Sequence, residues 1–193
     1  MSGISEYAKA LDKLMKNLVY DHDRGVLKAE DMRFLLFSSK SYVSVQKRME
    51  SLVGFDAAGV LIYEANREAG RLSGEVIRRG VKIDQKNSGR MILSGLDFMG
   101  LTGWGLWELG KFDNVEAVFT VKDSPIAEGY GQSDRAVCHT IRGLIAGFAE
   151  YFTGLRRECI EVLCKAKGDD HCEFIVAAPE DITKIALERS GKT

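Results

Sequence analysis

All four cysteines of the chain fall in its last third: Cys138, Cys159, Cys164 and Cys172. Thiols gathered in this way can share a soft metal ion, oxidise in pairs or fill a core. Cys164 and Cys172 flank Gly168, Asp169 and Asp170, residues of turn type. A hairpin closed by that turn holds its arms about 5 Å apart, so two thiolates near its tip can reach one tetrahedral ion at ~2.3 Å each. Cys138 lies upstream on an apolar helical stripe, and a helix packed on the hairpin would deliver it to the same point. The fourth ligand is open between Glu161 and Cys159. These two share one face of a regular strand while Cys164 points the other way. A bulge or early turn after Glu161 is needed to bring both inward. Parity alone does not choose between Glu161 and Cys159, and each cysteine taken singly also fits an ordinary core position.

The elements that must position these residues can be read from periodicity. Val137, Cys138, Ile141, Leu144, Ile145, Phe148 and Phe152 recur at helical spacing, with Ser133 or Asp134 as the start and Gly154 as the end. Arg157 to Leu163 and Cys172 to Ala178 form the arms of the hairpin, stopped by Pro179, and a last helix covers Ile182 to Glu188. Upstream, Val115, Ala117, Phe119 and Val121 alternate as the buried face of a strand that ends at Ser124-Pro125. Trp104 to Leu109 alternates similarly. A helix capped by Asn87 or Ser88 runs to Leu101. A long helix from Asp56 to Arg79 carries the stripe Ala58, Ile62, Ala65, Ala69, Leu72 and Val76, and another covers Tyr42 to Val53 up to Gly54. Ser5 to Tyr20 reads as an amphipathic helix, and a hairpin turns around Ala29 to Asp31. The expected organisation is a helical extension over residues 1–22, a possible dimer arm, followed by one domain over 23–193.

Composition excludes several function classes. The net charge of −1, from 27 basic and 28 acidic residues, supplies no global field for nucleic acid or an anionic membrane. The most apolar long window, Met91 to Gly110, holds five glycines with Asp97 and Glu108, a poor fit to hydrocarbon. The N-terminus lacks the apolar core of a secretory signal. The expected location is the cytoplasm, where clustered thiols stay reduced and more often bind metal than form disulfides. The chain has no G-x-x-x-x-G-K-[ST] motif and no helix-turn-helix pattern. The G-x-G pairs at Gly103 to Gly105 and Gly129 to Gly131 lack the third glycine and the strand-to-helix setting of a dinucleotide site.

From Glu161 to Phe174 the string EVLCKAKGDDHCEF reads as E-x-x-C-x-A-x-G-D-x-x-C-x-F. It resembles the signature of the 4-vinyl reductase domain family. VKDSPIAEGYG, AVCHTIRGLIAGFAEYFTG and LIYEANREAGRLSG resemble the family's strand, cysteine-bearing helix and central helix, so the likeness runs from about Gly25 to Pro179. The resemblance implies an α+β fold, an antiparallel sheet with helices packed on it, similar also to the small subunits of the TRAPP vesicle-tethering complex. Zinc-binding members include sensor domains of aromatic-responsive transcription activators, in which three cysteines and one glutamate hold the ion. That pattern implies Zn2+ on Cys138, Glu161, Cys164 and Cys172, and it places Glu161 ahead of Cys159. The family's phenol-contacting histidine and tryptophan have no counterpart at matching places, the histidines here being His22, His139 and His171. Members commonly form dimers, which implies a homodimer.

Three thiolates and a carboxylate saturate a tetrahedral ion, and closed sites of that kind are structural. The expected function is therefore a zinc-containing sensor or regulatory domain for a small apolar or aromatic ligand, with no catalytic residue. Candidate pocket residues are Phe98, Trp104, Trp107, Phe119, Phe148 and Phe152, with Tyr63 and Tyr130 to orient a polar group. Two alternatives stand beside it. One is an enzyme or accessory in tetrapyrrole vinyl reduction, after the family's name. The other is a thiol redox switch pairing Cys159 with Cys164 or Cys172.

Overall fold

The computed structural model describes residues 16, 18–29, 32–80 and 88–189. The chain divides into two units between Ser38 and Ser39. In the first, strands β1 (Leu18–Asp21), β2 (Val26–Ala29) and β3 (Met32–Phe34) form an antiparallel meander. The helix expected over Ser5 to Tyr20 lies largely outside the described residues. Its end is corrected: Leu18 to Asp21 is strand, paired with Val26 to Ala29 in register. Hydrogen-bonded pairing overrides helical spacing in so short a segment.

The second unit begins with α1 (Ser39–Val53) and α2 (Phe55–Gly80), separated by Gly54 at φ 86°. Next come α3 (Ser88–Leu101), β4 (Leu106–Phe112), β5 (Glu116–Lys122), the short α4 (Pro125–Tyr130), α5 (His139–Thr153), β6 (Glu158–Leu163), a 3-10 turn at Lys165–Lys167, β7 (Cys172–Ala177) and α6 (Pro179–Arg189). The four later strands make one antiparallel sheet in the order β4-β5-β7-β6. The α+β architecture expected from the sequence is present.

Strand periodicity assigns the two faces of the sheet. Ala117, Phe119 and Val121 of β5 and Cys172, Phe174 and Val176 of β7 join the main core, with Val137, Ile141 and Ile145 from the α5 region. Val118, Ile175 and Ala177 point the other way and meet Ile182 and Ile185 of α6. Val115, expected on the buried face, precedes the strand and is exposed.

Helices α2 and α5 cross so closely that glycine is required. A Cβ on Gly143 would strike the Tyr63 carbonyl, one on Gly147 the Arg67 carbonyl and one on Gly70 the Leu144 carbonyl. The buried seam of α2 therefore runs through Ala58, Ile62, Tyr63, Arg67 and Gly70. The expected stripe is corrected at Ala65 and Leu72, which are exposed, and the side chain of Val76 lies outside the described residues. Backbone proximity, not side-chain hydrophobicity, selects this seam. Arg67 is 1% exposed. It donates to Glu150 of α5, to Glu158 of β6 and to the Arg157 carbonyl.

Candidate metal centre

Four elements converge at one end of α5. Helix α5 starts later than its apolar spacing predicts, at His139, which makes Cys138 its N-cap and not a residue of its buried face. Cys138 has no side-chain cap of its own, and its N–H donates to Glu161 Oε2 at 2.9 Å. The carboxylate of β6 thus occupies the positive end of the helix. The pairing of β6 with β7 shifts register between Glu161 and Leu163, the irregularity required to turn Glu161 and Cys164 to the same side. Cys164 ends this segment in extended backbone, the 3-10 turn closes under it, and Cys172 opens β7.

One ligand atom from each of Cys138, Glu161, Cys164 and Cys172 lies within 4.8 Å of all the others. The sulfurs of Cys138 and Cys172 are 3.8 Å apart, the separation of two thiolates on a common tetrahedral ion (about 3.8 Å for ligands at ~2.3 Å). All three cysteines are fully buried. Cys159 is buried too, but it is not in the group, and its thiol faces the Ile160 carbonyl.

The surroundings favour anionic sulfur. The Lys165 N–H donates to Cys172 Sγ at 3.4 Å, and Ser124 Oγ lies 3.6 Å from Cys138 Sγ. Asp169 Oδ2 accepts from the Cys164 N–H at 2.7 Å and so fixes the turn. The side chain of Lys165 is not engaged here; it reaches towards Asp123.

Hydrogen bonding within the cluster and burial shift its four groups in different directions. The Cys138 and Cys172 thiols donate to Cys164 and pull its pKa well below the usual thiol range. Cys138 is raised by its hydrogen bonds to Cys164 and Cys172 and by burial. Hydrogen bonding to Cys138 works to lower Cys172, but Cys164 and burial outweigh it and push that thiol up. Burial and the neighbouring Cys164 charge push Glu161 up to about 8. Glu161 Oε1 is buried without a hydrogen-bond partner of ordinary geometry. An orphan acceptor beside three clustered sulfurs fits a divalent thiophilic cation. Such an ion would replace the shared protons and take the free carboxylate oxygen.

The expected pocket residues separate. Phe98, Trp107 and Phe148 line an apolar cavity of about 50 Å³ with Leu96, Met99 and Ile145 between α2, α3, β4 and α5, and Ser73 adds a hydroxyl. Phe119, Phe148 and Phe152 line a second cleft of about 280 Å³ that opens past Thr153 and Arg157. Trp104 packs against the core and lends its carbonyl to the Trp107 indole N–H. The two tyrosine hydroxyls are engaged elsewhere. Tyr63 donates to Glu158, and Tyr130 donates to Glu50. Ser124, Arg67 and the polar residues around His139 are not singled out by sequence spacing. The Ser124-Pro125 pair is a usable signal, since serine at N-cap with proline at N1 starts a helix as well as ending a strand.

Comparison with known proteins bears on this geometry. Residues 117–178 match the V-4-R domain family, the 4-vinyl reductase domain. The phenol regulator MopR of Acinetobacter guillouiae is 22% identical over 182 residues, covering 89% of this chain but 32% of MopR. The chain thus spans about a third of that relative's length. The phenol-responsive sensory domain of the transcription activator PoxR, solved with phenol, superposes with a TM-score of 0.76 at 17% identity, covering 97% of this chain and 98% of that one. A trafficking protein particle complex subunit 3 from Naegleria fowleri, covalently bound to palmitic acid, gives a TM-score of 0.54 at 13% identity over 72% of this chain and 93% of that one. The expected likeness of fold to both the sensor domain and the TRAPP subunit is therefore present. Among the described residues no helix is long and apolar enough to cross a membrane. The matched segment, residues 117–178, contains the whole Cys-Glu cluster.

Proposed function

We propose that this chain is a sensor or regulatory domain in which a zinc ion, held by Cys138, Glu161, Cys164 and Cys172, clamps the start of α5 onto the β6–β7 hairpin. The observation that carries the metal reading is the convergence of these ligand atoms within 4.8 Å, with Glu161 Oε1 buried and unpartnered. Zinc is favoured over harder ions by the sulfur-rich donor set. With all four positions filled by protein, the ion is structural. The reduced thiols suit a cytoplasmic setting.

The ligand in this reading is small and apolar or aromatic. It enters at the cavity between α3 and α5, against Phe98, Trp107 and Phe148, which at about 50 Å³ must widen to admit a ring; Ser73 can meet one hydroxyl. The likeness to the phenol-responsive domain supports this choice. The chain acts as a homodimer, a reading supported by Val45 and Leu52 of α1 and Val60 and Leu61 of α2, which remain more than half exposed.

Native mass spectrometry of the purified chain reads metal and oligomer together. One zinc per chain and a two-chain mass are expected. Stoichiometric absence of metal from protein purified without chelator would falsify the zinc assignment. Phenol, added as a probe, should raise the melting temperature of the native chain and should lose that effect in Ser73→Phe, which fills the cavity.

A further inference from the structure

A crevice of about 330 Å³, separate from the apolar cavity, lies between the start of α2 and the start of α5, where its lining residue His139 follows Cys138. Phe55, Gly59, Tyr63, Arg135, His139 and Arg142 line it. Its chemistry is unlike the rest of the surface in three respects.

The first is Arg142. It is half-buried, and its Nε donates to the Cys159 carbonyl at 3.1 Å. No carboxylate among the described residues pairs with it. A guanidinium drawn partly out of water without a counter-charge is unfavourable unless an anion from elsewhere meets it.

The second is preorganisation. The Arg142 guanidinium lies 5.0 Å from the centre of the Tyr63 ring, and the Arg135 guanidinium 4.0 Å from the centre of the Phe55 ring. Arg135 also pairs with Asp56 on the rim. Both forks are therefore held in place before any ligand arrives, which lowers the entropic cost of binding.

The third is His139. It is 4% exposed, and neither ring nitrogen has a hydrogen-bond partner. Its Nδ1–Cε1–Nε2 edge packs on Gly59, where a Cβ would come within 3.0 Å of the ring. A side chain at position 59 would oblige the imidazole to shift by a few tenths of an ångström. A buried ring with an unused donor and an unused acceptor is rare and calls for a partner.

We propose that this crevice binds a small organic carboxylate, held between the Arg135 and Arg142 guanidinium groups with its apolar body against Phe55 and Tyr63. Two guanidinium groups against one Asp56 leave a surplus of one positive charge, matched to a monoanion. Planar forks suit a carboxylate bidentately. The aromatic walls favour an organic body over a bare inorganic ion, and the volume is at the lower end for small-molecule pockets. The site stands independently of the zinc and apolar-ligand readings.

Titration calorimetry on the intact chain tests it, with benzoate as the probe and acetate and inorganic phosphate as comparisons. Benzoate should bind saturably, with acetate at least about tenfold weaker for want of a ring, and phosphate weaker than benzoate. Arg142→Gln should weaken benzoate at least about tenfold and Arg135→Gln at least about threefold. Arg135 is on the surface, so its substitution keeps the test decisive even if Arg142→Gln fails to fold. Absence of saturable benzoate binding up to about 10 mM overturns the proposal. So does phosphate binding as tight as benzoate, which would make the site one for inorganic anions. Benzoate that is displaced by phenol and indifferent to both arginine substitutions sits in the other cavity, and that result also overturns it.

Discussion

The two ends of helix α5 are fastened in opposite ways. At its C-terminal half, Glu150 meets Arg67, and Arg67 also reaches Glu158 and the Arg157 carbonyl. Burial works to raise Glu150, but the Arg67 guanidinium and the Arg157 N–H hold it below the usual carboxylate range. Every charge there has its partner inside the chain. At the N-terminus, three thiols and a carboxyl crowd together with one acceptor left over. The first fastening is complete as folded. The second reaches full strength only with a cation. The two should therefore respond differently to the same treatments.

The largest expected effect is at the thiol end. Removing the metal with a chelator should cost several kcal/mol, since structural zinc supplies on the order of 10 kcal/mol. Cys172→Ser should reproduce most of that loss in urea denaturation and should make the protein indifferent to chelator. Cys159→Ser, outside the cluster, should cost about 1–2 kcal/mol for a buried hydroxyl and leave the chelator response intact. The opposite ranking would move the fourth ligand from Glu161 to Cys159.

Next in size is Arg67→Met. It leaves Glu150 buried without its cation and should cost about 3–5 kcal/mol. The loss should be the same with and without chelator, because the two fastenings share no residue. A strong dependence on metal would show that they act as one.

Part of the acid response should belong to the closed end. Glu150 and Glu158 are both held below their ordinary range, Glu158 despite burial, through Tyr63, Arg156 and Arg67. A carboxylate with a lowered folded-state pKa adds stability that is fully present above its unfolded value. That stability drains away as pH falls through the folded value. Stability should thus decline below about pH 4.5 in wild type and more shallowly in Glu150→Gln, measured on metal-free protein so that proton competition at the thiols does not contribute.

The smallest expected effect is Ser124→Ala. Its hydroxyl lies beside Cys138 Sγ and caps α4. Outer partners of this kind alter metal affinity by about tenfold or more. Competition with a chromophoric chelator would read the change, and an unaltered affinity would assign Ser124 to the cap alone.

These two ends are unequally legible in the sequence. The cluster is legible because cysteine is scarce, and its spacing around a turn restricts where the sulfurs can go. Strand parity shows that Glu161 and Cys164 can face the same way only through a bulge or early turn, but the choice of Glu161 over Cys159 comes from the resemblance to the 4-vinyl reductase family. The position of Cys138 is not legible, because an apolar stripe continues through residues that are not helical, and only the Glu161 carboxylate explains why α5 starts at His139. The Arg67 end is invisible. An arginine within a long helix reads as solvent-facing, and nothing local announces that Gly143 and Gly147 bring α5 down onto the α2 backbone. Helix α4 is hidden because Ser124-Pro125 reads first as the stop of a strand. The faces of β5 and β7 are legible because a period of two has little competition in a buried strand.

The glycine seam between α2 and α5 has a mechanical meaning. Side chains in an ordinary helix contact can slide or change rotamer, but here main chain rests on main chain at Tyr63, Arg67 and Leu144. The pair must tilt as one stiff bar. Helix α2 has 26 residues, about 39 Å at the usual rise, so a rotation of about 4° moves its far end by about 2.7 Å. A displacement of α5 would therefore carry α2 with it.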